Sequence, residues 1–185
     1  MFFVSGKKYK IPVLLSLVVF FLYVAFRVDA NWISATFALV GSLLSIFLLD
    51  LEYFAFAYVI EPTVEKSKQL KELVQQKQYK NAFAFIEQWE ESSVEEEMTI
   101  RSAMFQVLTY LFAFYFISTL ANPFVVCLSL AILFNLYYLQ IIEFARVGNL
   151  KRWFWIYSGE LTRDGYLAYL GLAGLSLFVL CYSLI

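Results

Sequence analysis

The feature that most constrains this chain is an apolar run from Ile33 to Ile60, which carries two carboxylates, Asp50 and Glu52, in its second half. As a single α-helix this run would extend about 42 Å at 1.5 Å per residue, whereas the hydrocarbon core of a bilayer is about 30 Å thick. The run therefore predicts a membrane helix that tilts or projects from the bilayer. Because a charge within lipid is costly, the two carboxylates indicate a site, a helix end or a buried pairing.

The rest of the chain has the composition of a membrane protein. Hydrophobic residues make up 62% of it and the mean hydropathy is +0.70, whereas soluble domains are about 45–50% apolar. Four further apolar runs have roughly the length of membrane helices, at residues 11–27, 102–120, 124–146 and 165–185. We therefore expect an all-α, polytopic helical membrane protein with about five transmembrane helices.

Changes in composition divide the chain into four parts. Residues 1–60 hold the first two membrane helices. Residues 61–97 are rich in lysine and glutamate and predict a cytoplasmic amphipathic helical hairpin, with its two helices joined near Gln76 to Gln78. Residues 98–146 hold the third and fourth membrane helices. Residues 147–185 combine an aromatic segment suited to the membrane interface with the fifth helix, for which Thr162 is the predicted N-cap.

The second helix of the hairpin has an apolar stripe formed by Tyr79, Phe83, Ile86 and Trp89. Two interpretations of this stripe stay open. It packs against the membrane-proximal end of its own bundle, or it is a docking surface for a cytoplasmic protein partner that binds through residues 64–92.

Short polar and small residues predict helix starts and close contacts. The segment Ser93–Glu96 has the spacing of a capping box, which predicts that a helix begins there and runs on into the third membrane helix. Gly41 and Ser45 form a small-residue strip that another helix can approach closely, and Gly171 and Gly174 suggest the same for the last helix.

The distribution of positive charge predicts the orientation. Of the 14 lysines and arginines, all except Arg27 fall in the N-terminal segment, the hairpin, the start of the third membrane helix or residues 146–163. With five spans these regions share one side, which the positive-inside rule assigns to the cytoplasm. We expect a protein of the cell (inner) membrane with its N-terminus inside and its C-terminus outside. The bilayer is its main partner, and a net charge of −1 gives no basic field for nucleic acid.

The chain contains no histidine, which excludes the usual general base, the serine–histidine and cysteine–histidine pairs, and histidine-ligated zinc. The candidates for catalysis are then Asp50, Glu52 and Glu143. Asp50 and Glu52 are also the candidates for binding a hard cation such as Mg²⁺ or Mn²⁺. They lie about 200° apart around a helix, so one helix cannot direct both into one site.

A structural interpretation of the polar residues is equally open. The carboxylates of Asp50 and Glu52 lie at the cytoplasmic interface, or pair with Arg101 or Arg146. Glu143 and Arg146 are close enough in sequence to pair on one helix face. Other polar positions in the apolar runs are Asn135 and Gln140.

A helix ending in the sequence LLDLE, a charged hairpin, a polar entry to the third span and a polar position in the fourth form a recognisable layout. This layout resembles the bacterial membrane-bound metal-dependent-hydrolase-like family, which includes members described as binding the LexA repressor. The resemblance covers roughly residues 40–160. In that family an acidic segment followed by histidine, a histidine before the next span and an H-x-x-x-D segment are taken as the metal site.

Within this resemblance, Asp50 and Glu52 match the acidic segment, but the expected ligands around them are replaced. Tyr53 and Arg101 stand where two of the histidines would be, and in the third segment the replacements are Asn135 and Leu139. The resemblance therefore implies a hydrolase-like ancestry with the metal ligands lost.

These observations favour a non-catalytic structural or interaction subunit with a cytoplasmic docking hairpin and no cofactor. One alternative is a membrane-bound metal-dependent hydrolase that uses Asp50 and Glu52 with Mg²⁺ or Mn²⁺. Another is a small transporter component, although no predicted span is broken in its middle by glycine or proline.

Overall fold

A computed structural model describes residues 9–27, 31–92, 99–157, 159 and 161–184. The described residues form helices and no strand. The helices are α1 (Lys10–Arg27), α2 (Trp32–Ala55) with a π-helical continuation (Phe56–Ile60), α3 (Glu65–Gln75), α4 (Tyr79–Ser92), α5 (Ala103–Ser118), α6 (Pro123–Val147), a 3₁₀ turn (Lys151–Phe154) and α7 (Arg163–Tyr182).

Side-chain caps explain where four of these helices begin. The side-chain oxygens of Asn31, Ser102, Asn122 and Thr162 accept hydrogen bonds from backbone N–H groups in the first turns of α2, α5, α6 and α7. Each cap satisfies a donor that has no partner within its own helix. The hairpin turns between Gln75 and Tyr79, as the sequence predicts.

Four described helices, rather than the predicted five, are long and apolar enough to cross a membrane: Lys10–Arg27, Trp32–Ile60, Pro123–Val147 and Arg163–Tyr182. The fifth predicted span, α5, has only 16 residues. At 1.5 Å per residue it extends about 24 Å, less than the roughly 30 Å of a hydrocarbon core. The prediction of about five spans is corrected to four described helices that are long enough to span a membrane and one shorter apolar helix.

The prediction of one continuous helix from Ser93 into the third membrane helix is wrong, although α5 begins at Ala103, close to the predicted start of the apolar run at residue 102. The capping-box segment Ser93–Glu96 lies outside the described residues, but residues 99–102 form a bend, so no continuous helix runs from Ser93 into α5. The backbone N–H groups of Ile100 and Arg101 instead donate to the carboxylate of Glu52 on α2. This long-range contact holds the chain outside the helical conformation until the Ser102 cap starts α5.

The helices α2 and α6 form the central pair of the bundle, with α1 packed against both, α5 on α6, and α7 on α6 and α5. The ends of α1 and α7 lie together, because the guanidinium of Arg27 donates hydrogen bonds to the carbonyl oxygens of Leu184 and Ser183 at 2.9 and 3.0 Å. The end of α7 is therefore at the opposite end of the bundle from the start of α1.

The small-residue strip on α2 is the point of closest approach to α6. A Cβ atom added at Gly41 would lie 3.0 Å from the carbonyl carbon of Phe124 and nearer still to its oxygen. On α7, a Cβ at Gly174 would meet the hydroxyl of Tyr137 at 2.6 Å, whereas nothing lies within 4 Å of one at Gly171. Close packing on α7 therefore occurs at Gly174 alone of the two predicted glycines.

We predict that Gly41→Ala destabilises the protein by roughly 1–3 kcal/mol, because the new methyl group meets backbone atoms that cannot rotate away. Thermal unfolding of the purified protein in detergent measures the change. Gly171→Ala is the matched control, since it adds the same methyl group in open space. Equal melting temperatures for the two variants would contradict the close approach of α2 and α6.

Candidate functional site

Glu52 is a buried residue that links α2 to the residues just before α5. Its side chain is only 2% exposed. One carboxylate oxygen accepts hydrogen bonds from the backbone N–H of Ile100 and from that of Arg101, the latter at 3.3 Å. The other oxygen lies 3.7 Å from Nε of Arg101, and the guanidinium stands 5.0 Å from the ring centre of Tyr53. The interpretation in which Glu52 pairs with Arg101 is thus confirmed.

Asp50 faces a different direction and lines a cleft of about 380 Å³. The cleft lies at the end of the bundle where α1 begins and α6 ends. Asp50 is 6% exposed and accepts a hydrogen bond from the Tyr9 hydroxyl at 2.6 Å. Three carboxylates and three arginines line the cleft: Asp50, Glu87, Glu143, Arg101, Arg146 and Arg152.

Glu143 does not form the predicted pair with Arg146. Its carboxylate accepts a hydrogen bond from the indole N–H of Trp153 at 3.0 Å. Trp153 is buried in the 3₁₀ turn after α6. Its indole N–H is a neutral donor, and it binds the Glu143 carboxylate in place of the Arg146 guanidinium. Among the described residues, neither Glu143 nor Arg146 forms an ion pair.

The structure brings together some of the predicted candidates and separates others. Asp50, Asn135 and Glu143 line the same cleft, whereas Glu52 lies outside its lining. This agrees with the angular separation of Asp50 and Glu52 on one helix. In the described part of the chain, no group of three or more acidic or cysteine side chains has the spacing of a metal site.

Asn135 joins three helices inside the apolar core. Its side-chain amide donates to the hydroxyls of Ser16 on α1 and Ser45 on α2, at 3.2 and 3.3 Å, and to the carbonyl of Ala131 at 2.9 Å. Buried polar side chains of this kind hold helices together where surrounding lipid gives no hydrophobic drive for association. Asn135 therefore has a structural role here, although it reaches the wall of the cleft.

Gln140 belongs to a second buried polar cluster, which links α5, α6 and α7. Its amide donates to the side-chain oxygen of Gln106 at 2.7 Å, and the hydroxyl of Tyr169 donates to the same oxygen. The three side chains lie outside the lining of the cleft. These hydrogen bonds explain why a polar side chain occurs at this position in α6, so no catalytic role is needed to explain it.

The apolar stripe of α4 is largely used within the chain. Ile86 and Trp89 are 0% and 1% exposed, and the Trp89 ring lies 5.6 Å from that of Tyr53 and 5.9 Å from that of Phe56. Phe83 is half-buried, and of the stripe only Tyr79 is open, at 54% exposure. In this conformation Ile86 and Trp89 have no free surface for a partner.

Sequence reasoning missed Arg152 as part of a site. It follows an exposed lysine at the start of an aromatic segment, which is a pattern typical of an interfacial anchor. The 3₁₀ turn instead buries Arg152, at 8% exposure, in the wall of the cleft. No local signal in the sequence distinguishes it from its exposed neighbour Lys151.

Comparisons with known protein families, with curated proteins and with solved structures found no match to this chain. The resemblance to the hydrolase-like family stays a prediction.

We predict that Glu52→Gln lowers stability by roughly 3 kcal/mol, since it leaves the buried Arg101 guanidinium without its counter-charge. Unfolding in detergent, followed by circular dichroism, measures the loss. Glu61→Gln makes the same chemical change at the exposed end of the α2 rod (α2 with its π-helical continuation, Trp32–Ile60) and should be nearly neutral. If the two variants have the same melting temperature, the contact of Glu52 with Ile100 and Arg101 contributes nothing to stability.

Proposed function

We propose that this chain is a multi-pass membrane protein that acts as a non-catalytic structural or interaction subunit. The observation that carries the proposal is a helical hairpin held firmly against the α2 rod, with a polar outer face left open. Trp89 and Leu70 on the hairpin are buried with Tyr53 and Phe56 on the rod in one apolar cluster.

The outer face of the hairpin is the surface that a partner would meet. It includes Tyr79 and a mixture of exposed charged and amide side chains on both hairpin helices: Glu65, Lys68, Gln69, Glu72, Gln75 and Lys80. A surface already fixed by packing loses little conformational entropy when it binds, so it supports tighter association than a flexible segment of the same composition.

The orientation in this proposal places the hairpin in the cytoplasm, at the cell membrane, with the C-terminus outside. It requires the shorter helix α5 to cross the bilayer together with the four longer helices, because four crossings alone would put both termini on one side. Two observations support it. Positive charge concentrates at one end of the bundle. The contact of Arg27 with the carbonyls of Ser183 and Leu184 sets the end of α7 at the other end.

A photoreactive amino acid placed at Tyr79 tests the docking proposal in membranes of cells that make the protein naturally. We expect a cross-linked adduct with a second protein, because Tyr79 is exposed on the outer face. The same group at the buried Ile86 should react only within the chain. Substitution at one exposed position is preferable to deleting the hairpin, which would uncover the apolar cluster around Tyr53.

The cross-linked products show whether the outer face of the hairpin binds a specific protein. An adduct of constant mass from position 79 but not from position 86 supports a specific partner, and its mass distinguishes a second copy from another protein. The docking proposal fails if position 79 cross-links only to its own chain or to lipid.

The metal-dependent hydrolase remains the second candidate, because Asp50 and Glu143 line one cleft. Elemental analysis of the purified protein after exposure to Mg²⁺ or Mn²⁺ separates the two proposals. The hydrolase predicts stoichiometric metal that Asp50→Asn removes, with the exposed Asp164→Asn as control. The non-catalytic proposal predicts no difference between these variants and the unaltered protein.

A further inference from the structure

Arg152 is a buried cation whose hydrogen-bonding capacity is not used by the described chain. It is 8% exposed, and its Nε and Nη2 atoms are buried with no hydrogen-bond partner. Among the residues that the structure describes, none forms a hydrogen bond or an ion pair with this guanidinium. Burial of an unpaired charge and of unsatisfied donors is costly, so the position calls for a ligand that supplies acceptors.

Two of the three carboxylates that line the cleft already accept hydrogen bonds from other groups, and the third, Glu87, forms no ion pair with Arg152. Asp50 is bound by the Tyr9 hydroxyl and Glu143 by the Trp153 indole. Glu52, outside the lining, interacts electrostatically with Arg152, but it forms its ion pair with Arg101, at 3.7 Å. One of its oxygens accepts hydrogen bonds from backbone N–H groups, and the other accepts none from the described residues. Arg152 therefore lines the cleft, and its buried Nε and Nη2 groups donate a hydrogen bond to no side chain of the described residues.

We propose that the cleft binds a zwitterionic phosphodiester, with the phosphate on Arg152 and an ammonium group beside the carboxylates. The planar guanidinium fork matches two phosphate oxygens, and Arg146 lines the same cleft as a second cation. A ligand with phosphate alone would face repulsion from Asp50, Glu87 and Glu143. An ammonium group converts that repulsion into attraction.

Two sources supply this chemistry, an ethanolamine phospholipid and a water-soluble ethanolamine phosphodiester. The cleft volume, about 380 Å³, falls in the range of small-molecule sites, about 300–1,000 Å³. Its wall also contains apolar side chains, among them Pro12, Ile46 and Ile142, which suit an acyl chain. Both sources share the phosphate and ammonium contacts, and the experiment below distinguishes them.

Native mass spectrometry of the full chain, released from detergent micelles, tests the proposal. The protein is offered an equimolar mixture of phosphatidylethanolamine, phosphatidylglycerol and diacylglycerol with identical acyl chains. We expect retention of phosphatidylethanolamine in preference to the other two. Arg152→Gln should reduce its occupancy roughly tenfold. Lys151→Gln is the matched control, because it removes the same charge from an exposed neighbour outside the cleft lining.

Glycerophosphoethanolamine, which has no acyl chains, identifies the source. If it displaces the lipid at comparable concentration, the cleft recognises the soluble compound, and if it does not, the ligand is the phospholipid. Equal retention of phosphatidylglycerol, or of diacylglycerol, overturns the proposal. So does equal loss of binding in Arg152→Gln and Lys151→Gln.

Folding of the variants is checked by thermal unfolding without added lipid. Arg152→Gln should be at least as stable as Lys151→Gln, because it removes a buried charge that has no ion pair. If it nevertheless fails to fold, the exposed Arg146→Gln replaces it in the binding experiment. Unchanged retention of phosphatidylethanolamine by that variant also overturns the proposal.

Discussion

The close contact between α2 and α6 is the constraint on which the rest of the structure depends. At Gly41 the backbone of α6 lies where any side chain would stand. This approach brings Ser45 within hydrogen-bond distance of Asn135, and α1 adds Ser16 to the same cluster. The contact between α2 and α6 fixes the direction of the long α2 rod relative to the bundle. The hairpin packs on the far end of this rod.

Polar side chains inside apolar helices are often taken as signs of chemistry, and in this chain most of them hold helices together. Glu52, Asn135 and Gln140 each contact an element distant in sequence. Such contacts are effective because surrounding lipid or apolar protein offers a polar group no alternative partner. The residues that remain available for a ligand are those around the cleft, where Arg152 lacks a partner in the described chain.

The sequence alone predicts features of the structure that depend on local patterns. Hydropathy locates the apolar helices, the Thr162 cap begins α7, and the amphipathic hairpin turns where expected. The start of α5 lies close to the predicted start of its apolar run, but the bend before it could not be predicted, because that bend is held by hydrogen bonds from Ile100 and Arg101 to the distant Glu52. The partner of Glu143 was equally inaccessible, since sequence spacing favours Arg146 and only the 3₁₀ turn brings Trp153 close.

The hairpin and the cleft are one structural unit rather than two neighbouring features. Glu87 of α4 lines the cleft, and Trp89 of the same helix packs on Tyr53. Arg101 lines the cleft as well, pairs with Glu52 and stands over the Tyr53 ring. A ligand in the cleft would lie beside Arg101, whose guanidinium stands over the Tyr53 ring on which Trp89 of the hairpin packs. If a partner binds the outer face of the hairpin, these buried contacts connect that face with the cleft, and any coupling free energy between the two sites acts equally in both directions.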